Sequence, residues 1–478
     1  MLTLNKKPIQ KMIIVAVLLS AVFLGVTGTA CADSITVNES ESIQDAIDDA
    51  NNGDTIEVGP GTYEEQLEIA GVDKNNIELI GSTDENGLPT SIINLSDLTD
   101  DHGIMIKDTN GVTVQNFEVH SSPDRGVYAY NTSGVIIDNI VSHNNDNDGI
   151  RIKKDKNATV QNCESYDNNG DGLTFYAYGN ILNNNIRENK ERGIYHVGSS
   201  AGGTGNVTII GNHLTGNKMD HKWINHHAAG IEVYGGPSDN PHTLSAIVED
   251  NVVKGNHGNG IQIYKVNYQE GKNGPYGDYQ STLKGNEVSG SIATDDTYGD
   301  GILVYLSHNL DIGCNDICNS TAAIRLTTDY PYGNQYGPTT NNTMTCNYLY
   351  DNEYGVLVEG GDDYQVLDTV VHRNNIYGNN NGLSNQNNGD EVVNATNNWW
   401  GDSSGPTGEG SGEGKSVSTN VEYEPVETDE VECACEEPSQ NVPDDYDHWA
   451  GVPTANPVLL VGVLGIAVLL FLRREQKK

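Results

Sequence analysis

One five-residue frame recurs along most of this chain: Gly, an apolar residue, an outsider, another apolar residue and another outsider. It starts at Gly103 ("GIMIK"), Gly126, Gly149, Gly172, Gly193, Gly230, Gly260, Gly301 and Gly355, with Ala323 once in the Gly place. The first steps are 23, 23, 23 and 21 residues. Alternation at period two means extended strands, and a period near 22 means a coil of parallel strands in which each turn stacks on the last. The helical spacing of three and four is absent from these segments.

Alternation also assigns faces. Ile150 and Ile152, Leu173 and Phe175, Ile231 and Val233, Ile261 and Ile263, and their equivalents point inward and build an aliphatic core. His196 falls inward by the same count and reads as a core histidine bonded to a neighbour. Between the frames lies a second strand signal, N-x-[ILV]-x-x-N, at Asn139, Asn184, Asn212, Asn251, Asn347 and Asn374. Asn at equivalent corners can stack into hydrogen-bonded ladders and tolerates left-handed backbone angles. Ile43, Ala46, Ile47 and Ala50 share one helical face, and a helix here covers the open first turn. Trp399 and Trp400 are expected to cap the opposite end.

The two ends carry targeting signals. Residues 1–32 combine Lys6, Lys7 and Lys11, an apolar run from Met12 to about Val26 and Ala30-Cys31-Ala32, the pattern of a cleaved secretory signal. Lipidation at Cys31 is the alternative. Cleavage leaves six of the seven cysteines. Cys314 and Cys346, each directly before an Asn in successive repeats, are candidates for a disulfide, whereas Cys433 and Cys435 cannot be assigned from spacing. Near the C-terminus, "VPTANP" precedes fifteen apolar residues and "RREQKK". Fifteen is short of the roughly 20 that a spanning helix needs. This layout resembles archaeal V-P-x-x-x-P sorting signals, and the resemblance implies processing by an archaeosortase-like transpeptidase and replacement of the tail by a lipid anchor. An uncleaved tail anchor is the alternative, and both place the chain on the outer face of the cell. Between Asp33 and Leu472 there are 19 bases against 66 acids, which argues against a nucleic-acid partner.

The opening segment, the Gly-apolar turns and the closing "NNWWG" together resemble the pectate-lyase-like superfamily, particularly the NosD-like surface proteins of methanogenic archaea. The resemblance implies an all-β fold, a right-handed single-stranded parallel β-helix with an N-terminal capping helix, over residues 33–406. Residues 407–450 read as an acidic, disordered stalk and 451–478 as the sorting signal or anchor. That superfamily includes lyases, hydrolases, epimerases, adhesins and structural proteins, so the resemblance leaves activity open.

The outward positions carry the functional expectation. One column holds Tyr128, Arg151, Thr174, Tyr195, Glu232, Gln262, Leu303, Arg325 and Leu357; its neighbour holds Tyr130, Lys153, Tyr176, Val197, Tyr234, Tyr264, Tyr305, Thr327 and Glu359. Rings about 4.8 Å apart along the axis suit stacking against an extended polysaccharide. The candidate binding residues are Tyr130, Tyr176, Tyr195, Tyr234, Gln262, Tyr264 and Tyr305; the plain alternative is that Tyr stacks on itself. Long intervals after Gly193, Gly230 and Gly260 (37, 30 and 41 residues) supply loops to wall a site. A lyase or glycosidase acting in the same groove would draw on Lys222, His226 or His227 as base, Glu232 with Asp220 as acid or calcium-binding groups, and Arg325 to neutralise a uronate. No cofactor is required by the binding reading; the acidity suits weak divalent-cation binding, calcium first, and the loop histidines His221, His226 and His227 are a second candidate, for zinc or copper. A purely structural envelope role is the third possibility. Eight N-x-S/T sequons, from Asn38 to Asn394, are usable by an exported glycoprotein.

Overall fold

The computed structural model describes residues 32–98, 102–198, 203–218, 228–236, 242–269, 274–294, 297–328 and 337–435. The expected signal peptide, the sorting segment and the loop residues Asp220, His221, Lys222, His226 and His227 lie outside them.

Two long parallel sheets of 25 and 14 strands share one aliphatic core. The turn from Gly149 shows how they alternate. Ile150–Lys153 belongs to the 14-stranded sheet, then Ala158–Gln161 and Glu164–Tyr166 belong to the larger one. Each pairs in parallel with its equivalent one turn on, Ile150 with Leu173, Ala158 with Gly179 and Glu164 with Asn185. Ile150, Ile152, Phe175, Ile231, Val233, Ile261 and Ile263 are fully buried, as alternation requires. The Gly of the frame is there for space: a Cβ on Gly149 would lie 2.0 Å from Ser165 Oγ and 2.7 Å from Asn168 Nδ2.

Asparagine stacks hold the corners in register. Asn184, Asn212, Asn251, Asn286, Asn315, Asn347, Asn374 and Asn398 form one ladder, each bonding the next through backbone N–H and Nδ2 to Oδ1 at 2.8–3.1 Å. A second ladder joins Asn145, Asn168, Asn189, Asn217 and Asn256. In the first ladder the left-handed angle is taken by the residue just before the ladder Asn, as at Asn183 (φ 55°), Asp250 (54°), Cys314 (56°) and Cys346 (60°). The two tasks expected of one Asn are thus divided between neighbours.

A helix, α1 (Ile43–Asp49), covers the first turn and buries Ile43, Ala46 and Ile47. Ser42 caps it, and the Glu65 carboxylate accepts the Ile43 and Gln44 N–H groups at 2.8 and 3.2 Å, an anion at the positive helix end.

At the far end the structure corrects the expected boundary. Trp400 is buried, but the coil does not stop at residue 406: Pro406–Gly408 and Gly414–Val417 extend the smaller sheet, and Val421–Glu422 pairs with Val393–Asn394. Strand pairing needs backbone rather than apolar bulk, so a Gly- and Ser-rich stretch can supply it. Nor does Cys314 pair with Cys346; it is bonded to Cys435, in the segment read as stalk. No helix among the described residues is long and apolar enough to cross a membrane.

Candidate functional site

The outward columns stand in the register expected of them. Along the 14-stranded sheet Tyr128, Arg151, Thr174, Tyr195, Glu232, Gln262, Leu303, Arg325 and Leu357 succeed one another, beside Lys107, Tyr130, Lys153, Tyr176 and, further on, Val197, Tyr234, Tyr264, Tyr305, Thr327 and Glu359. Their exposure divides this face in two.

In the later turns the outward side chains are covered. Glu232, Gln262 and Tyr305 are fully buried and Tyr264 is 7% exposed. Tyr234 stacks on Tyr264 with centroids 4.7 Å apart and planes 9° apart, and Tyr264 on Tyr305 at 4.8 Å and 29°. The ring faces are occupied by each other, and Tyr268 and Leu306 join the same cluster. Gln262 accepts from Asn259 Nδ2 at 2.9 Å. The expectation that Gln262, Tyr264 and Tyr305 face a ligand is therefore corrected: the self-stacking alternative holds for these rings, and Tyr234 keeps only a half-buried edge of the stack.

The expected catalytic set does not converge either. Glu232 Oε2 lies 3.4 Å from Arg192 Nη1, both groups buried. Arg325 stands three strands further on, roughly 14 Å away at about 4.8 Å per strand. It is held by Asp300 (Nε to Oδ2 2.6 Å) and by Glu359, with its guanidinium 3.9 Å over the Tyr298 ring. An arginine so engaged by two carboxylates has little left for a substrate uronate. Asp220, Lys222, His226 and His227 lie outside the described residues. Among the described residues no group of three or more His, Cys, Asp or Glu is placed to hold a metal ion.

The structure adds a column that alternation does not pick out: the residue immediately before the Gly of each frame. Arg125, Asp148, Asp171 and Arg192 stack at one corner; the two Asp bond the outward residue three positions later, and the two Arg lie over its ring. Asp148 Oδ2 is 2.6 Å from Arg151 Nε and 3.4 Å from Arg125 Nε. Asp171 accepts from Thr174 Oγ1 and from Arg192 Nε, both at 2.9 Å. The Arg192 guanidinium lies 3.5 Å from the Tyr195 ring centroid. The signal for this column was in the sequence, as Arg-Gly and Asp-Gly pairs repeating 23, 23 and 21 residues apart. Burial pushes the Asp148 carboxyl up against the pull of Arg151. Glu191, beside Arg192, is pushed up to about 7 by burial and then by the Asp171 charge.

In the earlier turns the second column stays accessible. Lys107, Tyr130, Lys153 and Tyr176 are each half-buried and occupy successive strands, flanked by half-buried Arg151 and Tyr195. Tyr176 meets Tyr195 edge-on at 5.7 Å, and Arg151 lies 5.4 Å from the Tyr176 ring centroid. Lys154 Nζ donates to Tyr130 Oη at 3.0 Å and draws the phenol down. Among the described residues Lys107 and Lys153 make no ion pair, whereas Arg125, Arg151, Arg192 and Arg325 are all paired.

Residues 80–247 match the family model described as a right handed beta helix region. With the all-parallel sheets this defines the class, a right-handed parallel β-helix. Residues 452–476 match the VPxxxP-CTERM archaeal protein sorting domain, so the chain is a right-handed parallel β-helix bearing that sorting domain. Among solved structures it is similar to the mannuronan C-5 epimerase AlgE6 A-module of Azotobacter vinelandii, at 16% identity and a TM-score of 0.49, over 80% of this chain and 93% of that one. It is similar to the catalytic unit of the thermostable GH87 α-1,3-glucanase of Streptomyces thermodiastaticus strain HF3-3, at 16% identity and TM-score 0.49 over 85% and 71% of the two chains. Similarity to pectate lyase Pel9A is 14% identity and TM-score 0.39 over 73% and 80%. No curated protein matches the chain.

Proposed function

We propose that this β-helix is an anchored protein of the outer cell face that binds an extended anionic polysaccharide of the envelope or matrix across its early turns. The observation that supports it is the Lys107–Tyr130–Lys153–Tyr176 column. In a chain with a formal charge of -41, these two lysines make no ion pair among the described residues and alternate with half-buried aromatic rings on one sheet. Alternating cations and rings at strand spacing serve the carboxylates and the ring faces of a sugar polymer together. Tyr195 and Arg151 border the same face, while Tyr234 marks where the cover begins. In this reading the sorting domain directs processing by an archaeosortase-like enzyme and leaves the coil attached to the membrane.

The test mixes the purified protein with acidic and neutral polysaccharides, with and without calcium, and follows binding together with the release of unsaturated or reducing ends. Acidic polymers are expected to bind in preference to neutral ones, with affinity falling steeply as salt rises. Lys107→Ala with Lys153→Ala is expected to weaken binding about tenfold, on the order of 1.4 kcal/mol. Equal binding of neutral polymers, or indifference to the double substitution, would sink the proposal. The second reading is an enzyme acting on the same polymer, for which the candidate acid is Glu191, its carboxyl 3.9 Å from Arg192 and pushed up by burial to about 7. New chain ends that disappear in Glu191→Gln would establish that reading; binding without new ends would establish the first.

A further inference from the structure

Beyond Glu422 the chain turns back along the flank of the coil. Glu427 N–H donates to Asn398 O at 3.1 Å. Val431 N–H donates to Asn375 Oδ1 at 2.7 Å, and Asn375 Nδ2 to Val431 O at 3.0 Å. Arg373 Nη2 donates to Glu432 O at 3.3 Å, and Cys435 is bonded to Cys314. As the tail runs from 427 to 435, its contacts descend from 398 to 314. The segment therefore crosses successive turns in the direction opposite to coil growth.

The turn between Arg373 and Cys314 presents Cys346. Cys314 and Cys346 hold the same corner of consecutive turns: both have left-handed φ, at 56° and 60°, and Cys314 N–H donates to Thr345 O. They precede Asn315 and Asn347, which bond each other in the ladder at 2.8 Å. Cys433 and Cys435 are two residues apart, so on an extended segment their side chains share a side. Cys435 meets Cys314, while Cys433, free like Cys346, has its Sγ 3.9 Å from Arg373 O, at the corner one turn beyond Cys346, and burial and then the neighbouring Cys346 push its thiol up.

We propose that Cys346 and Cys433 form a second disulfide beside Cys314–Cys435, clamping the tail to two consecutive turns. The two thiols give up two protons and two electrons to a disulfide-bearing oxidant of the exported compartment. One thiolate attacks the oxidant's disulfide, the other resolves the mixed disulfide, and the oxidant leaves as its dithiol. The consequence concerns the anchor. The sorting domain begins at residue 452, so 16 residues, 436–451, separate it from the clamp. Load on that tail enters the coil at the Cys314 and Cys346 turns and bypasses the terminal strands Pro406–Gly408 and Gly414–Val417. This consequence rests on the surface-anchored reading; the pairing does not.

The test takes the full chain purified from the exported fraction without reductant, denatures it in iodoacetamide and maps its peptides by mass spectrometry. Cys163 and Cys318 are expected to be alkylated, and the Cys346 peptide to be linked to the one holding Cys433 and Cys435. Because those two share a peptide, the Cys314→Ser, Cys435→Ser variant is run in parallel and is expected to retain the Cys346–Cys433 link. In Cys346→Ser, Cys433 should become alkylated before reduction while Cys314–Cys435 persists. Full alkylation of Cys346 and Cys433 in the unreduced wild type, a Cys314–Cys346 link, or stoichiometric zinc with the four thiols alkylated only after chelation would each overturn the proposal.

Discussion

Replacing Asn251 by Ala tests whether the asparagine ladder holds the coil in register. The side chain is fully buried. Its Oδ1 accepts the Asn212 N–H at 3.0 Å and Asn212 Nδ2 at 2.9 Å; its Nδ2 donates to Ile209 O at 2.9 Å and Asn286 Oδ1 at 3.0 Å. Asn286 Oδ1 keeps the Asn251 N–H, and Asn212 Nδ2 keeps Ile181 O, so those two partners are only weakened. The Asn212 backbone N–H loses its acceptor in a dry corner, at a cost of about 1–3 kcal/mol, and the remaining bonds add about 1 kcal/mol each. The sum is roughly 4–6 kcal/mol. Because each turn of a coil contacts its neighbours alone, that loss should stay local. Hydrogen exchange read by mass spectrometry is expected to show protection falling about 100-fold or more in peptides spanning residues 205–215, 243–254 and 281–289, at about tenfold per 1.4 kcal/mol. Peptides from residues 34–94 should be unchanged. The half-buried Asn169, whose side chain bonds the surface groups of Asp146 and Lys190, serves as control, and its Ala variant should move stability by less than about 1 kcal/mol. Unchanged protection in Asn251→Ala, or a loss spread evenly over the chain, would refute the reasoning.

Three further outcomes are expected. Arg192→Met removes the buried cation that pairs Asp171 and Glu232, which should cost about 3–5 kcal/mol at pH 7 by denaturant titration. His196, bonded to Phe175 O and Thr243 Oγ1, is lowered to about 3 by burial. Above about pH 6.5 it is neutral folded and unfolded; below that the unfolded chain takes a proton that the folded one refuses. Stability should fall by about 2 kcal/mol between pH 7 and 5 on its account, and His196→Gln should flatten the profile by that amount. Gly149→Ala brings a methyl against Ser165 Oγ and Asn168 Nδ2 and should cost about 1–3 kcal/mol in thermal unfolding, where Ala at Gly134, with nothing within 4 Å, meets only the strain of its φ of 75°.

What the chain announced and what it withheld differ by the kind of signal. Alternation is a statement about one strand, and the equal spacing of the frames is a statement about stacking. Together they gave the core, the columns and their register, down to Tyr234 over Tyr264 over Tyr305. Neither says what lies over an outward residue, so Glu232, Gln262 and Tyr305 read as exposed and are buried. The corner column escaped because Arg125, Asp148, Asp171 and Arg192 precede the frame, where alternation has already ended. Composition misled at the far end: acidic, Gly-rich residues look unable to fold alone, yet a preformed sheet edge offers them backbone partners and Cys314 offers a covalent one.

A stacked coil brings each side chain against its own equivalent, and most columns here satisfy themselves. Asn bonds Asn, Tyr covers Tyr and Asp holds Arg. Such columns stabilise and leave little free to recognise anything else. A binding face must therefore be sought where a column fails to close on itself. Lys107 and Lys153 meet this condition, since each is separated by a tyrosine from the other and neither finds a carboxylate among the described residues. The same test applied to the conspicuous Tyr234–Tyr305 stack excludes it, because its rings are already spent on one another. Reversing the two lysines to Glu should therefore abolish polyanion binding while leaving the unfolding midpoint within about 0.5 kcal/mol of wild type, the range of surface substitutions. A larger loss of stability would show that these lysines belong to the coil's own bonding and not to a ligand.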